Sequence, residues 1–248
     1  MSLPKGRTPS RRIDFVDRRP HPLGRDQKNM SKTTKIIIAV VIILIAGGLV
    51  AWQTLSWQGK MAGIKETLSS MFSGEDSQLP ENIKAAYDKI KEDPSNVDAY
   101  LTLARWKTDK GQIEDAVKLY KAALLVRPTD TLLWNNLADI YMKNKRYAEA
   151  EEAYLKIVET NPGWVQAYRS LVDLYRYQIP EKRTEIPKML EDGMARNLEY
   201  MKIHFVQLLA VYYRDFGPKE EAIKQYEELI KLDPANDTVK AELEGMKK

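Results

Sequence analysis

The chain has 248 residues, 44% of them hydrophobic and 30% charged, which is enough for one or two globular domains. It contains no cysteine, so disulfides, thiolate nucleophiles and cysteine-ligated metals are excluded. Ten of the 39 Lys and Arg residues, but only three of the 35 acidic residues, fall within residues 1–35. The remaining 29 basic and 32 acidic residues make the rest slightly acidic, so the net charge of +4 does not indicate a nucleic-acid-binding domain.

Residues 1–35 are predicted to be a disordered, basic, cytoplasmic tail. The segment combines scattered Arg and Lys with four prolines and has almost no apolar periodicity. It cannot bury enough surface to offset its ordering entropy. Positive charge ahead of a long apolar run is typical of an orientation signal, so we expect no nucleic-acid partner for it.

An apolar run follows at residues 36–52, and the next charged residue is Lys60. A helix of that length reaches roughly 26 Å, and extension through Leu55 spans a hydrocarbon core of about 30 Å. Trp52 and Trp57 stand at one edge, where indoles favour the membrane interface. We therefore predict a transmembrane helix at residues 36–57, with a buried core helix or a cleaved signal peptide as alternatives.

The excess of Lys and Arg before this helix predicts a single-pass membrane protein. Its N-terminus would be cytoplasmic and its C-terminal domain extracytoplasmic. In an organelle membrane the topology could be reversed.

Residues 58–78 are predicted to be a linker. Apolar residues recur within it at helical spacing, at Ile64, Leu68 and Phe72 among others. Residues 60–72 are interpreted as an amphipathic helix that either lies on the membrane or packs on the first repeat.

A 34-residue unit recurs in the remainder of the chain, and its clearest copy is residues 131–164. Apolar and small residues stand in this copy at steps of three and four, at Trp134, Leu137, Ala138, Tyr141, Tyr147, Ala150 and Tyr154. The polar run 143–146 separates two such sets, and Asn161-Pro162 ends the second, which predicts two helices joined by a short turn. The pattern resembles the tetratricopeptide repeat at nearly every position.

This resemblance implies an all-α fold, a right-handed superhelical solenoid of antiparallel helix pairs preceded by the transmembrane helix. The repeat domain is predicted at residues 79–248. It would comprise a partial repeat at 80–96, repeats at 97–130, 131–164, 165–202 and 203–236, and a capping helix at 237–248. Asp237 or Thr238 is expected to cap that last helix.

Two places depart from the repeat pattern. Lys107 stands where an aromatic residue is usual at position 11, and Trp106 is predicted to fill its space. The third unit has 38 residues, with a longer turn at 178–182 and with Pro187 early in its second helix, where a missing N–H is harmless. The inserted residues are either a tolerated loop or part of a binding face.

No catalytic motif or clustered metal-ligand spacing occurs, and the two histidines, His21 and His204, stand far apart in the sequence. The carboxylates Glu149, Glu151 and Glu152 are expected on helix faces turned to water. We therefore expect no enzymatic activity, no catalytic residue, no metal and no cofactor.

In the tetratricopeptide-repeat family, the first helices line a concave groove, and the resemblance implies that positions 2, 5, 9, 12 and 13 face it. The predicted partner-binding residues are Leu101, Arg105, Asn135, Asp139, Met142, Arg169, Asp173, Arg176, Tyr177 and Gln207. Asn135 is the best single candidate, because its amide can both donate to and accept from a peptide backbone. The arginines could instead bind carboxylates, unless Asp139 and Asp173 neutralise them.

The resulting hypothesis is a non-catalytic, membrane-anchored scaffold that docks a peptide or protein partner of unknown identity in this groove. The alternative is a domain that acts mainly as a self-association module in a membrane complex. Both depend on the resemblance, because a fold does not determine a function.

Overall fold

The structure, a computed structural model, describes residues 38, 41–42, 55–56, 58–60, 62–72 and 79–248. The chain divides into two units, residues 1–60 and 61–248. The predicted tail and most of the predicted transmembrane helix lie outside the described residues. Among the residues that are described, no helix is long and apolar enough to span a bilayer.

The second unit is all-helical, and its described residues contain no strand. Residues 62–72 form its first helix, α1. Two 3₁₀ helices, Pro180–Glu185 and Glu199–Met201, precede and follow the eighth α-helix. The other α-helices are α2 (Glu81–Glu92), α3 (Val97–Asp109), α4 (Ile113–Val126), α5 (Thr131–Lys143), α6 (Tyr147–Thr160), α7 (Val165–Tyr177), α8 (Ile186–Ala195), α9 (Lys202–Phe216), α10 (Lys219–Leu232) and α11 (Asp237–Lys247).

The predicted solenoid of helix pairs is confirmed, and short polar residues begin several of its helices. Side-chain oxygens of Asn96, Asp130 and Asn236 accept hydrogen bonds from backbone N–H groups in the first turns of α3, α5 and α11. The N-cap of α11 is thus Asn236, the residue just before the helix. Asp237 and Thr238, which were predicted as caps, lie inside its first turn. The domain boundaries themselves remain a prediction.

Prolines end four of the helices. Pro94, Pro128, Pro162 and Pro234 each stand two residues after the last helical residue of α2, α4, α6 and α10. The residue before each proline leaves the helical region of backbone conformation, since the proline ring crowds its backbone. The second helix of a repeat therefore stops at the same place in these units.

Three helix pairs pack along their lengths: α3 with α4, α5 with α6, and α9 with α10. Ala104, Ala116, Ala138 and Ala150 are fully buried where the first two of these pairs meet, as expected for small residues that let backbones approach. The two helices of the third repeat, α7 and α8, do not pair in this way, because α8 lies mainly against α9 and the 3₁₀ helix Pro180–Glu185 packs on α7.

Helix α1 packs on the N-terminal end of the solenoid. Ile64, Leu68 and Phe72 are buried in the main hydrophobic core. The Phe72 ring lies 5.0 Å from the ring of Tyr87 and 6.0 Å from that of Trp106, between centroids. Of the two interpretations of this amphipathic segment, the structure supports packing on the first repeat.

Lys107 binds the C-terminal end of α1. Its side chain is 1% exposed, and Nζ donates a hydrogen bond to the Met71 carbonyl at 3.2 Å. The ammonium also lies 4.5 Å from the centre of the Phe72 ring and 4.0 Å from a carboxylate oxygen of Asp115. The expectation that Trp106 fills the space of position 11 is therefore wrong, because a cation there is stabilised by the carbonyl end of α1.

The second helix of the third unit begins as predicted. Pro187 occupies the second position of α8, where no intrahelical N–H is needed. Gly193 then lets the helix approach its neighbours: a Cβ atom at this position would lie 2.5 Å from Tyr168 Cε1 and 2.7 Å from Phe205 Cε1. Only glycine fits between these rings without a shift of the helix.

Candidate functional site

Tyrosines at position 24 of three repeats form a row along the solenoid. Tyr120, Tyr154 and Tyr226 project from α4, α6 and α10 and are buried. Burial raises the pKa of each hydroxyl, to about 12 for Tyr154 and Tyr226. These hydroxyls are therefore neutral hydrogen-bonding groups at physiological pH.

The tyrosine hydroxyls meet residues of successive first helices. Tyr154 Oη donates to Asp139 Oδ1 of α5 at 3.3 Å, and Ser170 of α7 lies close enough to the Tyr154 hydroxyl to lower its pKa. Arg105 of α3 and Asp139 of α5 both lie close enough to the Tyr120 hydroxyl to affect its pKa, Arg105 lowering it and Asp139 raising it. The structure thus brings the predicted groove residues Arg105 and Asp139 together around the same tyrosine.

Asn135, the best candidate from the sequence, is bonded within its own helix. Its Nδ2 donates to Asp139 Oδ2 at 3.2 Å, one turn further along α5. The same carboxylate accepts from Tyr154. Part of the donor capacity of Asn135 is thus already used to orient Asp139.

The other predicted residues fall into two groups. Leu101 and Met142 are half-buried and pack against the hydrophobic core. Arg169, Asp173 and Gln207 are exposed. Their roles as contacts with a partner remain predictions.

Five residues form a compact group at the ends of α7 and α9, and we call it the arginine–aromatic cluster: Arg176, Tyr177, Arg183, Asp215 and Phe216. Arg176 forms an ion pair with Asp215. Arg183 Nη2 donates to the Arg176 carbonyl at 2.8 Å, and its guanidinium carbon lies 4.3 Å from the centre of the Phe216 ring. The Arg176 guanidinium lies 5.0 Å from the Tyr177 ring. Tyr177 and Phe216 remain 62% and 41% exposed, so two rings are held in place and open to a partner.

The longer third unit supplies part of this cluster. Arg183 belongs to the 3₁₀ helix Pro180–Glu185, within the elongated turn. Sequence reasoning did not single it out, because inserted residues have no position in the repeat pattern. The signal in the sequence that could have pointed to Arg183 was its basic charge beside the insertion.

The same 3₁₀ helix also binds the other side of the solenoid. Glu151 of α6 is 7% exposed and accepts hydrogen bonds from Tyr175 Oη at 2.6 Å and from Lys182 Nζ at 2.5 Å. Burial and the neighbouring Glu151 carboxylate hold the pKa of Tyr175 well above its usual value, and the hydrogen bond that Lys182 donates to Glu151 raises the pKa of Lys182. The expectation that Glu151 faces water is wrong, since α7 and the inserted residues cover it.

The described part of the chain presents hydrogen-bonding groups and exposed rings. No set of His, Asp and Glu side chains in the described part of the chain is arranged to hold a metal ion. Hydroxyls in a row, a guanidinium pair and two exposed rings are groups that bind peptides through hydrogen bonds and stacking.

The chain contains tetratricopeptide repeats. Family models with the description "Tetratricopeptide repeat" match residues 107–174 and residues 203–236. Both matched segments lie within the helix pairs described above.

Proteins similar to this chain come from distant organisms. It is 35% identical over 60 residues to the peroxisomal targeting signal receptor of Candida albicans, covering 24% of this chain and 10% of that protein. It is 23% identical over 172 residues to Superkiller complex protein 3 of Homo sapiens, covering 68% and 10%. The chain thus spans about a tenth of the length of each relative. A solved tetratricopeptide repeat protein from Parabacteroides merdae is 19% identical, with coverage of 76% of this chain and 73% of that chain and a TM-score of 0.48.

Proposed function

We propose that this protein is a non-catalytic scaffold that docks a peptide or protein partner in the groove lined by its first helices. The observation that carries the proposal is the arginine–aromatic cluster. Tyr177 and Phe216 are exposed, yet neighbouring guanidinium groups hold their rings in place. Rings that are ordered before binding lose little entropy on contact and supply much of the energy of protein interfaces.

The row of tyrosines supports a polypeptide partner. Arg105, Asp139 and Arg214 stand beside Tyr120, Tyr154 and Tyr226 and give the groove both donors and acceptors. An extended peptide carries both kinds of group at every residue. The Candida albicans relative is a targeting-signal receptor by name, which is consistent with a polypeptide ligand here.

The test is a peptide selection on the purified full chain. Peptides enriched from a displayed random library would be synthesised, and their affinities measured by fluorescence anisotropy. We expect Tyr177→Ala and Phe216→Ala each to weaken binding about tenfold or more, because each removes a pre-ordered ring. Tyr200→Ala is the matched control, since Tyr200 is 75% exposed but lies in the 3₁₀ helix after α8.

Equal affinities for the wild type and both cluster variants would exclude this end of the groove. Self-association is tested on the same samples by light scattering. A mass that rises with concentration, and that Tyr177→Ala returns to the monomer value, would make the cluster an interface between copies of this chain instead.

We also propose that residues 36–57 anchor the scaffold in a membrane, with the repeats on the extracytoplasmic side. The uninterrupted apolar run and the basic residues before it support this arrangement. Protease added to intact cells or vesicles decides it. In intact cells, protection of the repeat domain from the added protease would place it on the cytoplasmic side and would contradict the proposal. Release of the protein from the membrane by carbonate extraction would contradict it as well.

A further inference from the structure

A cavity lies between α1 and α4, and we call it the α1–α4 cavity. It has a volume of about 540 Å³ and is lined by side chains of residues 64–71 of α1 and 118–125 of α4. At about 1.5 Å of rise per residue, each of these helical walls is roughly 10 Å long. The cavity is therefore elongated, and its volume is within the range of small-molecule sites.

Most of the wall of this cavity is apolar. The apolar wall residues are Ile64, Leu68, Met71, Leu119, Ala122 and Leu125. Leu68 and Leu119 are buried and form the floor, whereas Leu125 is 43% exposed. An apolar chain in the cavity would remove the exposed surface of Leu125 from water, which favours binding.

The charged groups on the wall are all of one sign. They are Lys118 and Lys121, and no carboxylate stands among the described residues that line the cavity. Both lysines are exposed, and they lie one turn apart on the same side of α4. The ligand that matches such a wall is an apolar chain with an anionic head group.

Neither lysine is held firmly by a carboxylate of the protein. Lys118 Nζ pairs with Asp115 Oδ1 at 3.2 Å, but an exposed pair on a single helix contributes little free energy. Lys121 forms no hydrogen bond or ion pair with another described residue. Glu149, whose pKa it lowers, is already paired with Arg146 at 2.8 Å. Both ammonium groups are therefore available to a ligand in the cavity.

We propose that the α1–α4 cavity binds a medium-chain fatty acid, whose chain lies between the two helices and whose carboxylate pairs with Lys121 and Lys118. The apolar wall would cover the chain, and the lysines would neutralise the head group. None of the residues predicted to line the peptide groove forms part of this wall. The fatty acid would therefore bind whether or not a peptide partner is present.

The test is a titration of the full chain with decanoate, followed through the ¹³C-labelled methyl group of Met71. This methionine lines the cavity, and Met71→Leu assigns its resonance. Decyltrimethylammonium has the same chain with a cationic head group, and acetate has the carboxylate without the chain. All titrations contain the same nanodiscs, so that partition of the ligand into lipid cancels when variants are compared. We expect only decanoate to shift the Met71 resonance saturably below its critical micelle concentration.

Two substitutions of exposed wall residues test the head-group contact. Lys121→Gln should weaken decanoate binding about threefold to fivefold, because one solvent-exposed ion pair is lost. Lys224→Gln, which removes an exposed lysine of α10, is the matched control and should leave the affinity unchanged. Leu125→Glu places a carboxylate on the wall, so it should weaken decanoate binding about tenfold and allow decyltrimethylammonium to bind.

Three results would overturn the proposal. The first is an equal decanoate affinity for the wild type and Lys121→Gln. The second is binding of decyltrimethylammonium to the wild type as tightly as decanoate, which would mean that the lysines do not select the head group. The third is an unchanged Met71 resonance throughout the decanoate titration, which would show that the cavity accepts no chain.

Discussion

The second and third repeats follow one sequence pattern and are built differently. In the second, α5 and α6 pack along their lengths, and the turn between them is short. In the third, the additional residues form a 3₁₀ helix, and α8 packs mainly on α9. Lys182 and Arg183 attach that 3₁₀ helix to α6 and α7. The comparison shows that a short insertion can change the packing partner of the helix that follows it. The inserted residues can also contribute side chains to both faces of a solenoid.

The largest expected effect is at Gly193, the residue that lets α8 approach α7 and α9. Gly193→Ala should destabilise the protein by about 3 kcal/mol, because its Cβ would overlap two fully buried rings that cannot move aside. Urea unfolding of the full chain measures this. The control is Gly245→Ala in α11, where nothing lies within 4 Å, so about 1 kcal/mol of helix propensity should be gained. Similar urea midpoints for Gly193→Ala and Gly245→Ala would mean that α8 does not pack closely against Tyr168 and Phe205.

The next effect concerns the contact between the second repeat and the inserted residues. Glu151→Ala should cost about 2 kcal/mol, because it leaves the buried Tyr175 hydroxyl without its acceptor and Lys182 without its carboxylate. Glu152→Ala, one residue away and exposed, should change the free energy of unfolding by less than about 0.5 kcal/mol. If both variants unfold at the same urea concentration, the 3₁₀ helix is not held by this pair.

A smaller effect of opposite sign is expected in the turn of the second repeat. Lys145 has a φ of 59°, in the left-handed region, where the equivalent residue of the first repeat is Gly111 with a φ of 72°. Lys145→Gly should stabilise the protein by about 1 kcal/mol, and Gly111→Ala should destabilise it by a similar amount. Thermal unfolding measures both. A lower Tm for Lys145→Gly would show that the turn does not impose this conformation.

The smallest effect is a pH dependence in the second repeat. The Arg146 guanidinium holds the pKa of Glu149 below its usual value. A depressed pKa in the folded state stabilises the protein above the unfolded pKa, and this contribution is lost as the pH falls through the folded pKa. Between about pH 5 and pH 3, the wild type should therefore lose a few tenths of a kcal/mol more than Glu149→Gln, since the pair is partly exposed. Parallel stability curves would contradict this.

Much of the fold could be predicted from residue spacing, because a helix is a local structure. The paired apolar sets around Ala138 and Ala150 and the Asn161-Pro162 stop are confirmed in α5 and α6. The site was less accessible to prediction. Arg105 and Asp139 do come together, but Arg183 was missed because it lies in the insertion itself. The burial of Glu151 was missed because its partner Lys182 lies there too.

The sequence by itself determined the helices, their order and the pairing of α3 with α4, α5 with α6 and α9 with α10, because periodicity, caps and prolines act within a few residues of each other. The tertiary structure decided which of the exceptional side chains are buried and by what. Lys107 binds the carbonyl end of α1, Glu151 is covered by the third unit, and the Pro162 carbonyl accepts from Asn197. Each outcome depends on the separation of helices far apart in the chain, and no local pattern of residues encodes that distance.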